Sequence, residues 1–143
     1  MFKKMFTRFS KVVAAGLVLS FMFLVPGAEA SHWGLSGGLQ THDPTIVRES
    51  GNTWWSASTG TGIGMKYSTN GGKTWTDGLP IFSRPLSWWK KYAPNMTTND
   101  VWAPDLEYYR GRYYCYYSVS EFGKNNSAIG LVSCSSISRG DWR

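Results

Sequence analysis

The acid best placed for chemistry in this 143-residue chain is Asp43, within Thr41-His42-Asp43-Pro44-Thr45-Ile46. A catalytic carboxylate needs a fixed direction, and Pro44 supplies one by locking the backbone and removing a donor at what reads as the start of a strand. An Asp-Pro pair alone often only initiates a turn. Here the pattern recurs: Val101-Trp102-Ala103-Pro104-Asp105-Leu106 repeats it 60 residues later. Gly51 and Gly111 each follow their proline by seven residues, and an aromatic run follows each glycine, Trp54-Trp55-Ser56 and Tyr113 to Ser118. Matching Pro44 to Pro104 sets Asp43 against Ala103 and Asp105 against Thr45, so the two copies do not supply a pair of acids at equivalent places. Asp105 stands in a neighbouring position of the strand's alternation instead.

Other residues with chemical potential are weaker. His42 either holds Asp43, meets a ligand, or is a satisfied structural histidine. Glu107 reads as mid-strand and Glu121 as a loop acid before Phe122-Gly123. Cys115 and Cys134 are the sole cysteines and fall in consecutive strands. They bridge only if the register brings their Cα atoms within about 7 Å, and otherwise serve as two buried thiols. With no nearby His or third Cys they make no metal site.

The elements that must carry these residues are strands. Thr45–Arg48, Thr53–Ser58, Met65–Ser68, Leu106–Tyr109, Arg112–Ser118 and Ala128–Cys134 are β-branched or aromatic runs, separated by Ser50-Gly51-Asn52, Asn70-Gly71-Gly72, Arg110-Gly111 and Gly123 to Asn126. The class is all-β. The repeat continues through Ile63-Gly64-Met65 and Ile129-Gly130-Leu131, and each unit closes on a tryptophan, Trp75 or Trp142. Four-strand units of about 40 to 50 residues are the blades of a β-propeller. The spacing is stretched by an insert, Leu79 to Asp100, that contains Trp88-Trp89. Loop anchoring is the expectation for that pair, and packing between blades for Trp54, Trp55, Trp75, Tyr113, Tyr114 and Trp142. A propeller needs four to eight blades, so residues 31–143 are expected to be about the first two blades of a longer protein.

Residues 1–30 read as a secretory signal peptide: a basic start (Lys3, Lys4, Arg8, Lys11), an apolar run from Val12 to Val25, and Ala28-Glu29-Ala30 as the cleavage site. The run of 14 falls short of the roughly 20 residues that span a bilayer. The expected destination is extracellular, with no membrane attachment after cleavage. Removing the leader lowers the formal charge from +6 to +3, with 11 basic and 8 acidic residues left. That mixed remainder implies no nucleic-acid partner.

The HDP segment, Val101-Trp102-Ala103-Pro104-Asp105-Leu106, and above all Tyr116-Tyr117-Ser118-Val119-Ser120-Glu121-Phe122-Gly123 running on to Asn126-Ser127-Ala128-Ile129-Gly130-Leu131 resemble glycoside hydrolase family 43, and within it the secreted bacterial endo-1,5-α-L-arabinanases. The resemblance covers residues 40 to 137. It implies a five-bladed propeller that hydrolyses internal α-1,5 bonds of arabinan with inversion. Asp43 matches the family's general base, while the general-acid Glu and the Asp that tunes it match nothing here and are expected in later blades. Trp102 and Phe122 match sugar-subsite positions, Gly123 would let the backbone approach the sugar, and His42 is a further substrate-binding candidate. The resemblance further implies no cofactor for the chemistry, a structural calcium with ligands outside these residues, a plant cell-wall polysaccharide (arabinan of pectin side chains) as partner, and a monomer when full length. Glu107 and Glu121 do not match the acid motif.

Two other readings stay open on sequence. Ser68-x-Asn70-x-Gly72-x-Thr74-Trp75 fits the Asp-box hairpin of sialidase-like propellers with Asn for Asp, a structural feature that marks blades rather than a substrate. Another propeller glycosidase, a xylosidase or arabinofuranosidase or a sialidase-like enzyme, and a non-catalytic carbohydrate-binding module are the alternatives.

Overall fold

The computed structural model describes residues 34–143; the proposed leader, residues 1–30, lies outside the described residues. Within them the order is β1 (Ser36–Gly37), β2 (Thr45–Ser50), β3 (Thr53–Ser58), β4 (Gly60–Thr61), β5 (Gly64–Ser68), β6 (Thr74–Asp77), α1 (Trp89–Tyr92), β7 (Asp100–Tyr109), β8 (Arg112–Ser120) and β9 (Ser127–Cys134). Two sheets result. The first has the order β1-β6-β5-β3-β2, and the second β4-β7-β8-β9. Meandering antiparallel pairs connect β2, β3, β5 and β6 in one and β7, β8 and β9 in the other, as expected of consecutive blades.

The strands form where alternation lets one face be buried. Along β8, Tyr113, Cys115, Tyr117 and Val119 are buried, while Tyr114, Tyr116, Ser118 and Ser120 between them are not. β9 answers with Val132 and Cys134. These side chains meet Ala57 and Met65 of the first sheet, and Ile63 of the loop before β5, in one core. Gly130 is required beneath Tyr117, because a Cβ there would lie 2.4 Å from the tyrosine ring. No helix among the described residues is long and apolar enough to cross a membrane.

Several details differ from the sequence reading. Trp75 lies inside a fourth strand, β6, rather than in a closing turn. Beside the second sheet, the Arg143 N–H and C=O exchange hydrogen bonds with Ser133 at 2.9 and 2.8 Å. β7 starts at Asp100 and runs through Pro104, because a register shift between Trp102 and Asp105 accommodates the proline. Of the aromatic residues assigned to blade packing, Trp55, Tyr113 and Trp142 do join the core between these sheets. Trp54 and Trp75 instead line a groove with Leu35, Leu39 and Ile46 on another face of the first sheet. Tyr114 sits beside Glu107, Tyr109 and Tyr116 on the outward face of the second. Strand alternation explains the split, since adjacent residues such as Trp54 and Trp55 must point to opposite faces.

The insert is anchored as expected. Trp89 is wholly buried, stacked edge-on to Phe82 with centroids 5.2 Å apart, and its indole N–H donates to the Tyr117 hydroxyl at 3.3 Å. The Asp-box hairpin is also present: Ser68 Oγ accepts from the Gly72 N–H at 3.0 Å, and Asn70 Oδ1 accepts from the Thr74 N–H at 2.9 Å. Its counterpart in the second unit is built differently, with Asp141 accepting from the Ser135 and Ser136 N–H groups at 3.2 Å each.

Candidate active site

The repeat places Asp43 and Ala103 on equivalent backbone. Both adopt the left-handed conformation, with φ of 48° and 45°, immediately before their prolines. At Ala103 this is a β-bulge: two residues, Ala103 and Pro104, lie between Trp102 and Asp105 on β7, while Tyr117 alone lies between their partners Ser118 and Tyr116 on β8. The first sheet repeats it, since Thr45 pairs with Ala57 while the Thr59 N–H bonds to the His42 carbonyl at 2.9 Å. A bulge turns a side chain out of the strand's alternation, a device common beside active sites. Aspartate tolerates the left-handed region better than most residues, whereas alanine has no side-chain compensation for it.

Thr59 stands at the junction where the chain leaves the first sheet after β3 and joins the second at β4. Its hydroxyl donates to Asp43 Oδ2 at 2.8 Å and accepts from the Ala103 N–H at 2.8 Å, so one side chain ties both bulges together. His42 Nδ1 lies 3.1 Å from the same Oδ2, on a side chain that is 78% exposed. Among the described residues no hydrogen bond is made to Asp43 Oδ1. The aspartate itself is half-exposed.

Trp102 and Phe122 come together as a pair, with ring centroids 6.2 Å apart and planes at 68°. They line an open cleft of about 600 Å³ with Thr98, Asp100, Ser120 and Lys124. Phe122 is 91% exposed, so its ring presents a face to whatever enters. Gly123 follows in a tight turn closed by the Lys124 N–H on the Glu121 carbonyl at 3.1 Å; its φ of 70° accounts for glycine, and a Cβ would meet open space. Asp43 is not a wall of this cleft. Its link to it runs through Thr59 to the backbone of Ala103, next to Trp102.

Three other acids, Glu121, Asp105 and Glu49, make structural contacts. Glu121 is buried and grips the insert: Asn95 donates to it from N–H at 2.7 Å and from Nδ2 at 3.2 Å, and Asn126 Nδ2 at 3.1 Å. The Asn95 N–H above all, with the two amides, holds its carboxyl below the usual range despite burial. Asp105 faces Thr45, whose hydroxyl takes the Leu106 N–H at 3.1 Å. Glu49, which sequence reasoning passed over, clamps the two sheets. It accepts from Trp55 Nε1 at 2.7 Å, Ser136 Oγ at 2.8 Å, the Ser138 N–H at 3.0 Å and the Ser138 hydroxyl.

Thr59 was equally invisible in the linear sequence. The signal for it is the register: Thr59 falls opposite His42 as Ser118 falls opposite Trp102, so a hydroxyl residue occupies that place in both copies. The cysteines are free and buried, and stand diagonally, Cys115 opposite Val132 and Cys134 opposite Tyr113. Among the described residues no three His, Cys, Asp or Glu side chains cluster as metal ligands.

Comparison with known proteins places this geometry in context. The family model for Glycosyl hydrolases family 43 matches residues 38–143. The chain is 47% identical to extracellular endo-alpha-(1->5)-L-arabinanase 1 of Bacillus subtilis, over 99% of this chain and 44% of that protein. It is 42% identical to the extracellular exo-alpha-(1->5)-L-arabinofuranosidase ArbA of Cellvibrio japonicus, over 66% of this chain and 26% of that one. In three dimensions it is similar to the GH43 endo-arabinanase from Bacillus licheniformis, with a TM-score of 0.72, 50% identity, and coverage of 78% of this chain and 38% of that one. The chain thus spans less than half the length of these relatives, whose architecture is a five-bladed propeller, and its two sheets are part of that fold.

Proposed function

The chain belongs to glycosyl hydrolase family 43, and on that premise we propose that the whole protein to which it contributes hydrolyses internal α-1,5-L-arabinofuranosidic bonds of arabinan with inversion, Asp43 acting as general base. The observation that carries this is the pair of bulges: the same strained backbone occurs twice, and only the copy at Asp43 bears a carboxylate. Strain of about 1–2 kcal/mol per left-handed residue is kept where it directs a group that matters.

In the proposed reaction a water oxygen bonds to the anomeric carbon C1 as the C1–O5 bond breaks. The water's proton passes to Asp43, and a second carboxylic acid protonates the departing O5. An inverting pair stands about 6.5 to 9.5 Å apart to admit that water. Glu121 is unsuited to be the partner, because three donors from Asn95 and Asn126 already occupy its carboxylate. The acid Glu and its tuning Asp are assigned to the part of the protein beyond these residues. Trp102 and Phe122 would stack against furanose C–H faces, with Gly123 beside Phe122 and His42 beside Asp43 as further substrate-binding candidates. A structural calcium, if held, would take its ligands from later blades. The names of the relatives support secretion and a plant polysaccharide substrate, and we extend both to this protein, as a monomer.

The test is cleavage of debranched arabinan by the full-length protein and its Asp43→Asn variant. Short oligomers from the parent, a β-configured first product by NMR, and near-complete loss in the variant are expected. An unaffected variant rules out Asp43 as the base. Release of single arabinose units alone would instead assign the exo mode of the Cellvibrio relative.

A further inference from the structure

We infer that Thr59 is a positioning residue for the reaction, fixing which oxygen of Asp43 receives the proton. This rests on the proposed role of Asp43. The Thr59 hydroxyl has one proton. Because the Ala103 N–H at 2.8 Å occupies the oxygen as an acceptor, that proton is directed to Asp43 Oδ2, also at 2.8 Å. His42 Nδ1 crowds the same oxygen at 3.1 Å. Oδ2 is therefore committed to the protein, and Oδ1 is the atom left to take the proton of the attacking water.

The placement of Thr59 makes the coupling specific. Its own N–H bonds to the His42 carbonyl, so backbone and side chain together close the His42–Asp43 segment against the end of β3. The other end of the relay is the backbone of Ala103, adjacent to Trp102 in the aromatic cleft. The carboxylate that serves the water and the ring proposed to hold the sugar are thus held in register by one hydroxyl, across two consecutive blades. A valine has the same shape and cannot make either bond.

The experiment is a mutant cycle in the full-length protein on debranched arabinan, with Thr59→Val, Thr59→Ser, Asp43→Ala and the double variant Thr59→Val/Asp43→Ala. Thr59→Val is expected to lower kcat roughly 10- to 100-fold, the value of a hydrogen bond to a charged group, with KM within about twofold. Thr59→Ser keeps the hydroxyl and is expected to stay within a few-fold of the parent. In the Asp43→Ala background, with azide as a nucleophile that needs no base, adding Thr59→Val should change the rate less than about twofold, because Thr59 acts through the missing carboxylate. Thr59→Ala runs in the same cycle as a second hydroxyl-free variant, so a folding failure of one leaves the other.

Equal losses in both backgrounds, an unchanged kcat in Thr59→Val, or a serine variant as impaired as valine would each overturn the positioning role. An Asp43→Ala variant with full activity would overturn the general-base role instead, and a parent that leaves arabinan intact would overturn the proposed substrate; the serine and valine comparisons are separate from both.

Discussion

Asp43 and Ala103 hold the same left-handed conformation, φ 48° and 45°, at the same bulge of consecutive blades, although they share neither charge nor size. The backbone is thus a property of the repeat, and the carboxylate is an addition to one copy. Alanine gains nothing from that conformation. Ala103→Gly is therefore expected to stabilise the full-length protein by about 1 kcal/mol, the left-handed penalty less glycine's extra entropy cost. A lowered urea midpoint would show that the Ala103 methyl group carries more packing than strain.

Glu49 gives the structure an acid-sensitive clamp. Burial pushes its carboxyl upward, but the Ser138 hydroxyl and N–H, Ser136 and Trp55 together outweigh this and hold it below its usual value of 4.5. A group whose folded pKa is depressed contributes stability above its unfolded pKa and loses it as pH falls through the folded one. The parent should lose that contribution below about pH 4.5. Glu49→Gln should already lack it at pH 7 and show a flatter profile in urea melts from pH 7 to 3. Identical pH slopes for both proteins would remove Glu49 from the account.

The contact between Gly130 and Tyr117 leaves no room for a methyl group. Gly130→Ala must displace either the tyrosine ring or β9, and Tyr117 also carries the hydrogen bond from Trp89. A loss of roughly 1–3 kcal/mol, typical of overpacking, is expected in denaturant unfolding. Unchanged stability would mean that the ring has an alternative seat.

The thiols of Cys115 and Cys134 are buried, and burial pushes each up to about 12, with Asp105 and Asp141 respectively as the next contributors. Since the thiolate is the reactive form, neither should react with a disulfide reagent such as DTNB at pH 8 in the folded protein, and both should react on unfolding. Rapid labelling of the native protein would contradict the burial. A mass two units low under oxidising conditions would show that the diagonal pair had bridged.

The insert should loosen when Glu121 loses its charge. Glu121→Ala removes the acceptor for both Asn95 groups and for Asn126, so amide exchange should accelerate across residues 93–99 while β8 stays protected. Equal protection with and without the carboxylate would assign the anchoring wholly to Trp89.

The strands, the repeat and the candidate base are written in the amino-acid sequence. Alternation along Tyr113 to Ser120 dictates which face is buried, Gly and Asn clusters end the runs, and Pro44 and Pro104 mark equivalent places; all of these are local, and local chemistry is legible in one dimension. The Asp-box bonds around Ser68, Asn70 and Thr74 are equally local and were equally visible. The two-residue strands β1 and β4 were not, because they exist only where a neighbouring edge offers partners. Thr59 and Glu49 escaped for the same reason. Thr59 binds Ala103 from 44 residues away, and Glu49 binds Ser136 and Ser138 from 87 and 89 away. A hydroxyl or carboxylate carries no mark of its partner until the sheets stack. Which acid clamps, which acid stays open to water, and which tryptophan of an adjacent pair faces the core are decided by packing between blades, and only the tertiary structure decides them.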